Sequence, residues 1–402
     1  MNLARQKEQL PAGFSFSALA AGIKASGRPD LALVGAAQGT TAAALFTANL
    51  VAAAPVQIGR KHLAACQGRV RALIVNSGNA NCATGNSGLR DCQNVCQAVA
   101  RSLGIASEQV IPSSTGIIGV ALPTTKILKN ISSLVADRQP TPSGLHQFAQ
   151  AIMTTDTRQK TAAAAFRSGR SEVKLVGVAK GAGMIHPQLA TMLVYLFTDL
   201  KASSPQLRKA LQRSCDLTFN SISIDGDTST NDTVLLLASG QSRVRYGDAG
   251  VPPKFSAALL QVCRSLAEQI VADGEGVQHV IRLHIEQARS RPEALQIART
   301  IAHSLLVKAA WAGADPNWGR ILAAIGRSGV NLDPTRIKIF IGDQEVCRQG
   351  MLRKFNEARA HHDLSRSTCK IRVLLGRGKA MATFLTSDLS AEYVRINADY
   401  ST

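Results

Sequence analysis

The sequence predicts a mixed α and β fold. Short β-branched and aliphatic runs are interspersed with longer segments of 3.6-residue periodicity, and glycine- and asparagine-rich loops separate them. The alternation is irregular, which argues against a simple doubly wound parallel sheet.

Along the chain, residues 31–59 come first and carry no charge, a length that invites a membrane reading. Gly35, Gln38, Gly39, Thr40, Thr41, Asn49 and Pro55 interrupt the stretch, so it reads as buried strands and turns. Strands are expected at 70–75, 173–178, 192–198, 233–238, 280–285, 337–341, 371–375 and 381–386. Helices are expected at 87–103, 143–153, 205–214, 255–272 and 292–310. Within 255–272, Phe255, Leu259, Val262, Cys263, Leu266 and Ile270 share one face. Residues 137–144 and 245–254 read as surface connections.

A chain of 402 residues makes one large domain or two ordinary ones, long enough to bury a core without staples. Phe, Trp and Tyr together make up only 4%, so Ala, Val, Leu and Ile must fill the interior. The net charge of +19, from 46 Lys and Arg against 27 Asp and Glu, raises nucleic acid, an anionic membrane and an acidic small substrate as partners. The basic residues are dispersed, however. Arg167, Arg170 and Lys174 form one loose group, and Arg348, Arg353, Lys354 and Arg359 another, without interleaved aromatics. That pattern reads as a solvated basic surface, with neither nucleic acid nor membrane as partner.

The eight cysteines include no Cys-x-x-Cys and no zinc-type Cys/His cluster, so no metal is expected. Cys92 and Cys96 fall in a helical stripe with Leu89, Val95, Val99 and Leu103 and read as core. Scattered thiols suit a reducing cytoplasm. Arg5, Lys7 and Glu8 precede a short, broken apolar stretch that does not read as an export signal.

The most informative segment runs from Lys180 to Leu193 and places Thr191 after Ala190, directly before an apolar run. A threonine hydroxyl needs a base beside it. A threonine made N-terminal by cleavage carries that base as its own α-amine, whose pKa is about 7.7–8.0. His186, five residues earlier, is a candidate acid or base near the cut but reads better as packing beside Pro187. Ser113–Gly119 reads as a loop whose small residues let backbone N–H groups reach an oxyanion. Asn76–Asn81 with Thr84 and Gly85 reads as a second polar loop, and Thr154–Thr157 as a cap or hydroxyl cluster after a helix. Asp225–Asp232 is rich in oxygen ligands but lacks the twelve-residue calcium loop ending in glutamate. Asp273–Gly276 and Gly313–Arg320 complete the set, and none of these loops has dinucleotide or P-loop spacing.

In order, Asn76–Asn81, Ser114–Gly119, Ala151–Thr157, Lys180–Leu193, Phe219–Asn220 with Asp225–Thr233, Asp273–Gly276, Gly313–Arg320 and the tail Thr386–Leu389 and Tyr393–Thr402 closely resemble the ornithine acetyltransferase family over nearly the whole chain. Its members are also called glutamate N-acetyltransferases or bifunctional arginine-biosynthesis proteins. The resemblance implies an αββα sandwich-like core with N-terminal-nucleophile logic and a distinct topology. It implies self-cleavage into residues 1–190 and 191–402, both building one main domain, with about 280–402 as a smaller C-terminal domain. A cytoplasmic assembly of two copies of each piece follows. The implied reaction moves an acetyl group from N-acetylornithine to glutamate through an acetyl-threonine. No cofactor is implied, with acetyl-CoA as a further co-substrate in some members. Position by position, the resemblance makes Thr191 the nucleophile, Thr115 and Gly116 the oxyanion hole, and Thr154, Lys180, Thr191, Glu275, Asn397 and Thr402 the substrate contacts. Lys180 suits a substrate carboxylate and Glu275 a substrate ammonium.

The chain departs from the family where Val277, Gln278 and His279 replace Ala-Thr-Lys after Gly-Glu-Gly, and at Ala182 and His186. Those departures, with the strong positive charge, keep open a related acetyltransferase of a specialised metabolite pathway, and a separate alternative keeps the cut but passes the acyl group to water, as an amidase or aminopeptidase.

Overall fold

The computed structural model describes residues 10–186 and 192–399. Ala190, Thr191 and Thr402 therefore lie outside the described residues. The first half runs β1 (Phe14–Leu19), β2 (Leu31–Ala36), β3 (Thr41–Phe46), α1 (Ala54–Ala65), β4 (Ala72–Asn79), α2 (Gly85–Leu103), β5 (Val110–Ile117), α3 (Thr124–Ala136), α4 (Pro142–Ala151), β6 (Lys160–Ser168) and β7 (Ser171–Lys180). The second continues β8 (Leu193–Thr198), α5 (Ser204–Leu217), β9 (Thr233–Ala238), α6 (Val251–Ala272), β10 (Val280–Ala288), α7 (Arg291–Ala302), α8 (Leu305–Ala312) and α9 (Trp318–Gly326). It ends with β11 (Lys338–Ile341), β12 (Gln344–Arg348), β13 (Met351–Leu352), α10 (Glu357–Leu364), β14 (Thr368–Leu374), β15 (Ala380–Ser387) and α11 (Ala391–Asp399).

Among the described residues, two sheets stack face to face: β1-β2-β4-β5 and β3-β9-β8-β7-β6. Their inner faces share one core, in which Phe14, Phe16, Val34 and Val75 of the first sheet meet Val178, Tyr195, Phe197 and Leu235 of the second. The scarce aromatics concentrate there. Phe197 lies edge-on to Phe16 with centroids 5.2 Å apart, and Phe148 lies edge-on to Tyr195 at 5.5 Å. Such pairs add about 0.5–1.5 kcal/mol each beyond area burial. The outer face of the first sheet packs on α1, α2 and α3, and that of the second on α5 and α6. The layers are thus α, β, β, α, as the resemblance implied.

A further core joins the sheet β13-β12-β11-β14-β10-β15 to α7, α8, α9 and α10, within residues 281–384. No helix among the described residues is long and apolar enough to cross a membrane.

The layering explains the uncharged stretch after residue 30. Strand β2 is buried on every residue because its sheet is covered on both faces, so its sequence is continuously apolar rather than alternating. The face from Phe255 to Ile270 and the stripe from Cys92 to Val99 are buried as expected. Among the described residues all eight cysteines are free.

Several expectations are corrected. Residues 76–79 and 113–117 are not loops but the ends of β4 and β5. Strand β5 is an edge strand, where Pro112 omits no needed ladder donor, and this hid it among polar residues. Strands β1 and β6 are not expected from the sequence, because alanine and serine dilute their β-branched signal, whereas β2 and β3 fall in the uncharged stretch that reads as buried strands and turns. The stretch read as one helix over 292–310 is two helices, broken at His303 and Ser304. Residues 54–59 belong to α1 rather than to a turn, and the two connections run into α4 and α6, which begin at Pro142 and Val251.

Candidate active site

The two stacked sheets come together at a pocket lined by the ends of β5 and β7, the turn at Thr154, the loops 183–184 and 225–231, Glu275 and α11. Strands β4 and β5 run parallel with Ser77 opposite Thr115 and Gly78 opposite Gly116. At Gly116 the backbone has φ +133°, and a Cβ there would lie 2.3 Å from the Gly78 carbonyl carbon, so only glycine fits. The surrounding polar residues brace this strand end rather than form a turn. Ser114 Oγ donates to Asn76 Oδ1 at 2.6 Å, Asn76 Nδ2 donates to Asn79 O at 2.8 Å, and Asn231 Nδ2 donates to Ala80 O and Ser114 O at 2.7 and 2.9 Å. That network leaves Thr115 and Gly116 rigidly placed at the pocket wall.

Lys180, the last residue of β7, is buried, and its Nζ donates to Thr115 Oγ1 at 3.2 Å. Burial pushes its ammonium below the usual lysine range, opposed first by Asp156. Asp156 Oδ1 accepts from Lys160 Nζ at 2.6 Å and from Gly181 N at 2.7 Å, and its Oδ2 accepts from Thr154 N at 3.0 Å. Burial by itself would raise this carboxyl. Lys180, Lys160 and the Gly181 N–H outweigh it and hold Asp156 down at about 2. Lys160 also donates to Asp273 Oδ2 at 2.5 Å, and Asp273 in turn accepts from Thr157 N at 3.2 Å. A buried anion–cation–anion chain thus underlies the turn that carries Thr154.

The other wall is acidic. Glu275 N donates to Ala182 O at 2.9 Å, which seats the Glu275 loop against the segment after β7. Its carboxylate lies over Gly183, where a Cβ would come within 2.4 Å of Oε2. Asn397 Nδ2 donates to the same Oε2 at 3.0 Å. Asp225 accepts from the backbone N–H of Met184, Ile185 and Asp227 at 2.5, 2.9 and 3.2 Å, and from the Tyr393 hydroxyl at 3.4 Å. Burial pushes Asp225 up to about 6. The pocket is therefore bipolar, with Lys180 facing Glu275, Asp225 and Asp227, an arrangement suited to a zwitterionic amino acid.

Six of the residues expected at the site line this one pocket: Thr115, Gly116, Thr154, Lys180, Glu275 and Asn397. Met192, the first described residue after Thr191, donates its N–H to Asp232 Oδ1 at 2.8 Å. Sequence reading did not single out Asp156, Asn231 or Tyr393. The spacing of Asp156 and Lys160, one helical turn apart in a non-helical segment, gave no signal. The segment Asp225–Asp232 reads in sequence as oxygen ligands, but the Asp225 oxygens accept from three backbone N–H groups and the Tyr393 hydroxyl. Among the described residues no group of three acidic, histidine or cysteine side chains is placed to hold a metal.

His186 does more than fill space. Its Nδ1 lies 3.3 Å from His303 Nε2, which is 3.0 Å from Ser223 Oγ, and burial lowers the pKa of both rings. Val277, Gln278 and His279 do not line the pocket. Instead His279 Nδ1 pairs with Asp388 Oδ2 at 3.0 Å, and Gln278 N donates to Asp388 Oδ1 at 3.1 Å, tying the Glu275 loop to the end of β15. Gly313–Arg320 does not line the pocket either, and its Asn317 side chain caps α9 by accepting from Arg320 N.

An αββα sandwich with a bipolar pocket between its sheets defines this as a small-molecule enzyme. The ArgJ family matches residues 15–402, and the chain belongs to that family. It is 44% identical to the arginine biosynthesis bifunctional protein ArgJ of Methylococcus capsulatus, over 97% of this chain and 96% of that protein. It is 42% identical to the ArgJ protein of Neisseria meningitidis serogroup A, over 98% and 97% of the two chains. A crystal structure of the arginine biosynthesis bifunctional protein argJ from Bacillus halodurans is 38% identical with a TM-score of 0.50, covering 51% of this chain and 98% of that one.

Proposed function

We propose that this enzyme transfers an acetyl group from N-acetylornithine to glutamate in arginine biosynthesis, after cutting itself between Ala190 and Thr191. The observation that carries the reading is the bipolar pocket. A cation (Lys180) and an anion (Glu275) line the same pocket, with Thr115 and Gly116 beside Lys180. Substrate and acceptor share an α-carboxylate and similar length, so one pocket serves both in turn. The solved relative whose chain spans 51% of this one matches the size of a single cleavage piece.

In the proposed cycle the Thr191 hydroxyl gives its proton to the Thr191 amine as its oxygen bonds to the acetyl carbon. Thr115 and Gly116 hold the oxyanion that forms. The amide C–N bond then breaks, the ammonium returns its proton to the ornithine nitrogen, and ornithine leaves. Glutamate enters, its amine attacks the acetyl-threonine, and the threonine oxygen departs with a proton. Lys180 binds the α-carboxylate, Glu275 and Asn397 the ammonium end, and Thr154 and Thr402 complete the contacts. The cycle uses no metal and no resident cofactor, and acetyl-CoA is the alternative donor. The enzyme works in the cytoplasm as two copies of each piece.

On a denaturing gel wild type should run as two pieces and Thr191→Ala as one full-length band. Stopped during turnover, the C-terminal piece should carry one acetyl group on Thr191. Ornithine release at equal rates with and without glutamate would instead identify an amidase.

A further inference from the structure

Among the described residues that line the pocket, three carboxylates (Asp225, Asp227 and Glu275) stand against the single cation Lys180. That balance suits the side-chain ammonium of ornithine. Glutamate has similar length but ends in a carboxylate, which these anions repel. One group in the pocket can serve both ends, because a phenol O–H both donates and accepts. The Tyr393 hydroxyl donates to Asp225 Oδ2 at 3.4 Å, and Met184 N holds the same oxygen at 2.5 Å. Asp225 Oδ1 accepts from Ile185 N at 2.9 Å and Asp227 N at 3.2 Å. Backbone fixes the carboxyl, and the longest of its contacts is the one that can turn. The backbone of Tyr393 is fixed as well. At Gly276 the φ is +64° and a Cβ would lie 2.3 Å from Tyr393 N, so α11 is pressed onto the Glu275 loop. Ser390 Oγ donates to Gly276 O at 2.6 Å and accepts the Tyr393 N–H at 3.2 Å.

We propose that the Tyr393 hydroxyl is the specificity-determining group for the side-chain ends of both amino acids, and that Asp225 sets the direction of its hydrogen bond. The proposal rests on the reading of the enzyme as one that moves acetyl between ornithine and glutamate. With ornithine bound, Asp225 is a carboxylate and takes the Tyr393 proton, so the tyrosine oxygen accepts from the substrate ammonium beside Glu275. With glutamate bound, Asp225 Oδ2 carries one proton taken from solvent and donates it to the tyrosine oxygen. The Tyr393 O–H then turns to the glutamate side-chain carboxylate. The proton returns to solvent when the next ammonium arrives. Burial pushes Asp225 up to about 6 and the Asp227 charge adds to this, against the N–H groups of Asp227, Met184 and Ile185, so both forms are accessible near neutral pH. Burial and the nearby carboxylates hold the Tyr393 phenol above its usual range, which keeps it a hydroxyl throughout. The charged and titratable groups facing Asp225 are Asp227 on its own loop, Lys308 on α8, Tyr393 on α11, and Glu275 and Lys180 around the pocket. His303 lies beside Gly226, with His186 packed on it.

The test competes labelled glutamate against labelled ornithine as acetyl acceptors in wild type, with unlabelled N-acetylornithine as donor, from pH 6 to pH 8. Competition cancels every step that the two acceptors share, including the state of the nucleophile. The ratio of kcat/KM for glutamate to that for ornithine should fall about tenfold per pH unit, because one acceptor takes the protonated form of Asp225 and the other the ionised form. A ratio that stays within threefold across the range overturns the proposal. Tyr393→Phe keeps the ring, and should cost both acceptors about tenfold in kcat/KM and flatten the slope. Unchanged acceptors and slope in that variant overturn it too. Folded Asp225→Asn, fixed in the neutral form, should favour glutamate at every pH with no slope, and a slope kept there moves the titration to another group and overturns the assignment. Should the Asn variant not fold, the wild-type slope and Tyr393→Phe decide. Wild type that passes acetyl to neither acceptor refutes the underlying reaction, whereas transfer with a flat ratio refutes only the roles of Tyr393 and Asp225.

Discussion

The Lys180 ammonium reaches across the sandwich to the Thr115 hydroxyl, 3.2 Å away, and so ties the end of β7 in one sheet to the edge strand β5 of the other. One contact therefore sets the spacing between the pocket's cation and the strand that carries the proposed oxyanion donors.

Replacing Lys180 by Met removes a buried cation while keeping most of its length. A charge-assisted contact is worth about 1.5–3 kcal/mol, so KM for N-acetylornithine and for glutamate should both rise roughly tenfold to hundredfold. Steady-state kinetics on the folded variant check this, and KM values within twofold of wild type would remove Lys180 from substrate binding.

The Asp156 carboxyl is held at about 2 when folded and titrates near 3.8 when free. Its folded-state pKa is depressed, so its contribution is fully present above about 4 and is lost as pH falls toward about 2. Linkage puts that contribution on the order of 2 kcal/mol. Denaturant melts between pH 5 and pH 2 should show wild type losing stability across that window. Asp156→Asn should be weaker by about 3 kcal/mol at pH 7, since Lys160 then keeps only Asp273, and flatter with pH.

Two glycines should respond differently to alanine. At Gly116 the new Cβ would strike the Gly78 backbone at 2.3 Å with φ at +133°, so Gly116→Ala should lower both melting temperature and kcat. At Gly183 the obstacle is the end of the Glu275 side chain, which can swing away. Gly183→Ala should melt like wild type while KM rises several-fold. Equal effects of the two changes on stability would contradict this account.

His279 braces the Glu275 loop through Asp388 without touching the pocket. His279→Ala should raise KM for the amino-acid substrates and leave kcat close to wild type. A drop in kcat at unchanged KM would place His279 in the chemistry instead.

Much of the fold was legible in the sequence because burial leaves period and composition behind. The fully buried strands β8 and β9 read as apolar runs, and α2 and α6 as amphipathic stripes. Strand β5 was not legible, because an edge strand that carries a pocket wall is selected for small and polar residues, Ser113 to Gly116, that look like a loop. The buried pairing of Lys160 with Asp156 and Asp273 was equally hidden: one partner is 113 residues away and nothing local marks the contact.

The sequence by itself determined the family, through the ordered set of short polar and glycine-bearing segments from Asn76 to the tail, and it supplied the chemical types that the pocket needs. Only the tertiary structure decided that Lys180 meets Thr115, that Glu275 meets Asn397, and that Asp232 holds Met192. The physical reason is that local pattern reports which face of an element is buried, whereas charge pairing and orphaned atoms depend on which distant elements the packed sheets bring within about 3 Å of each other.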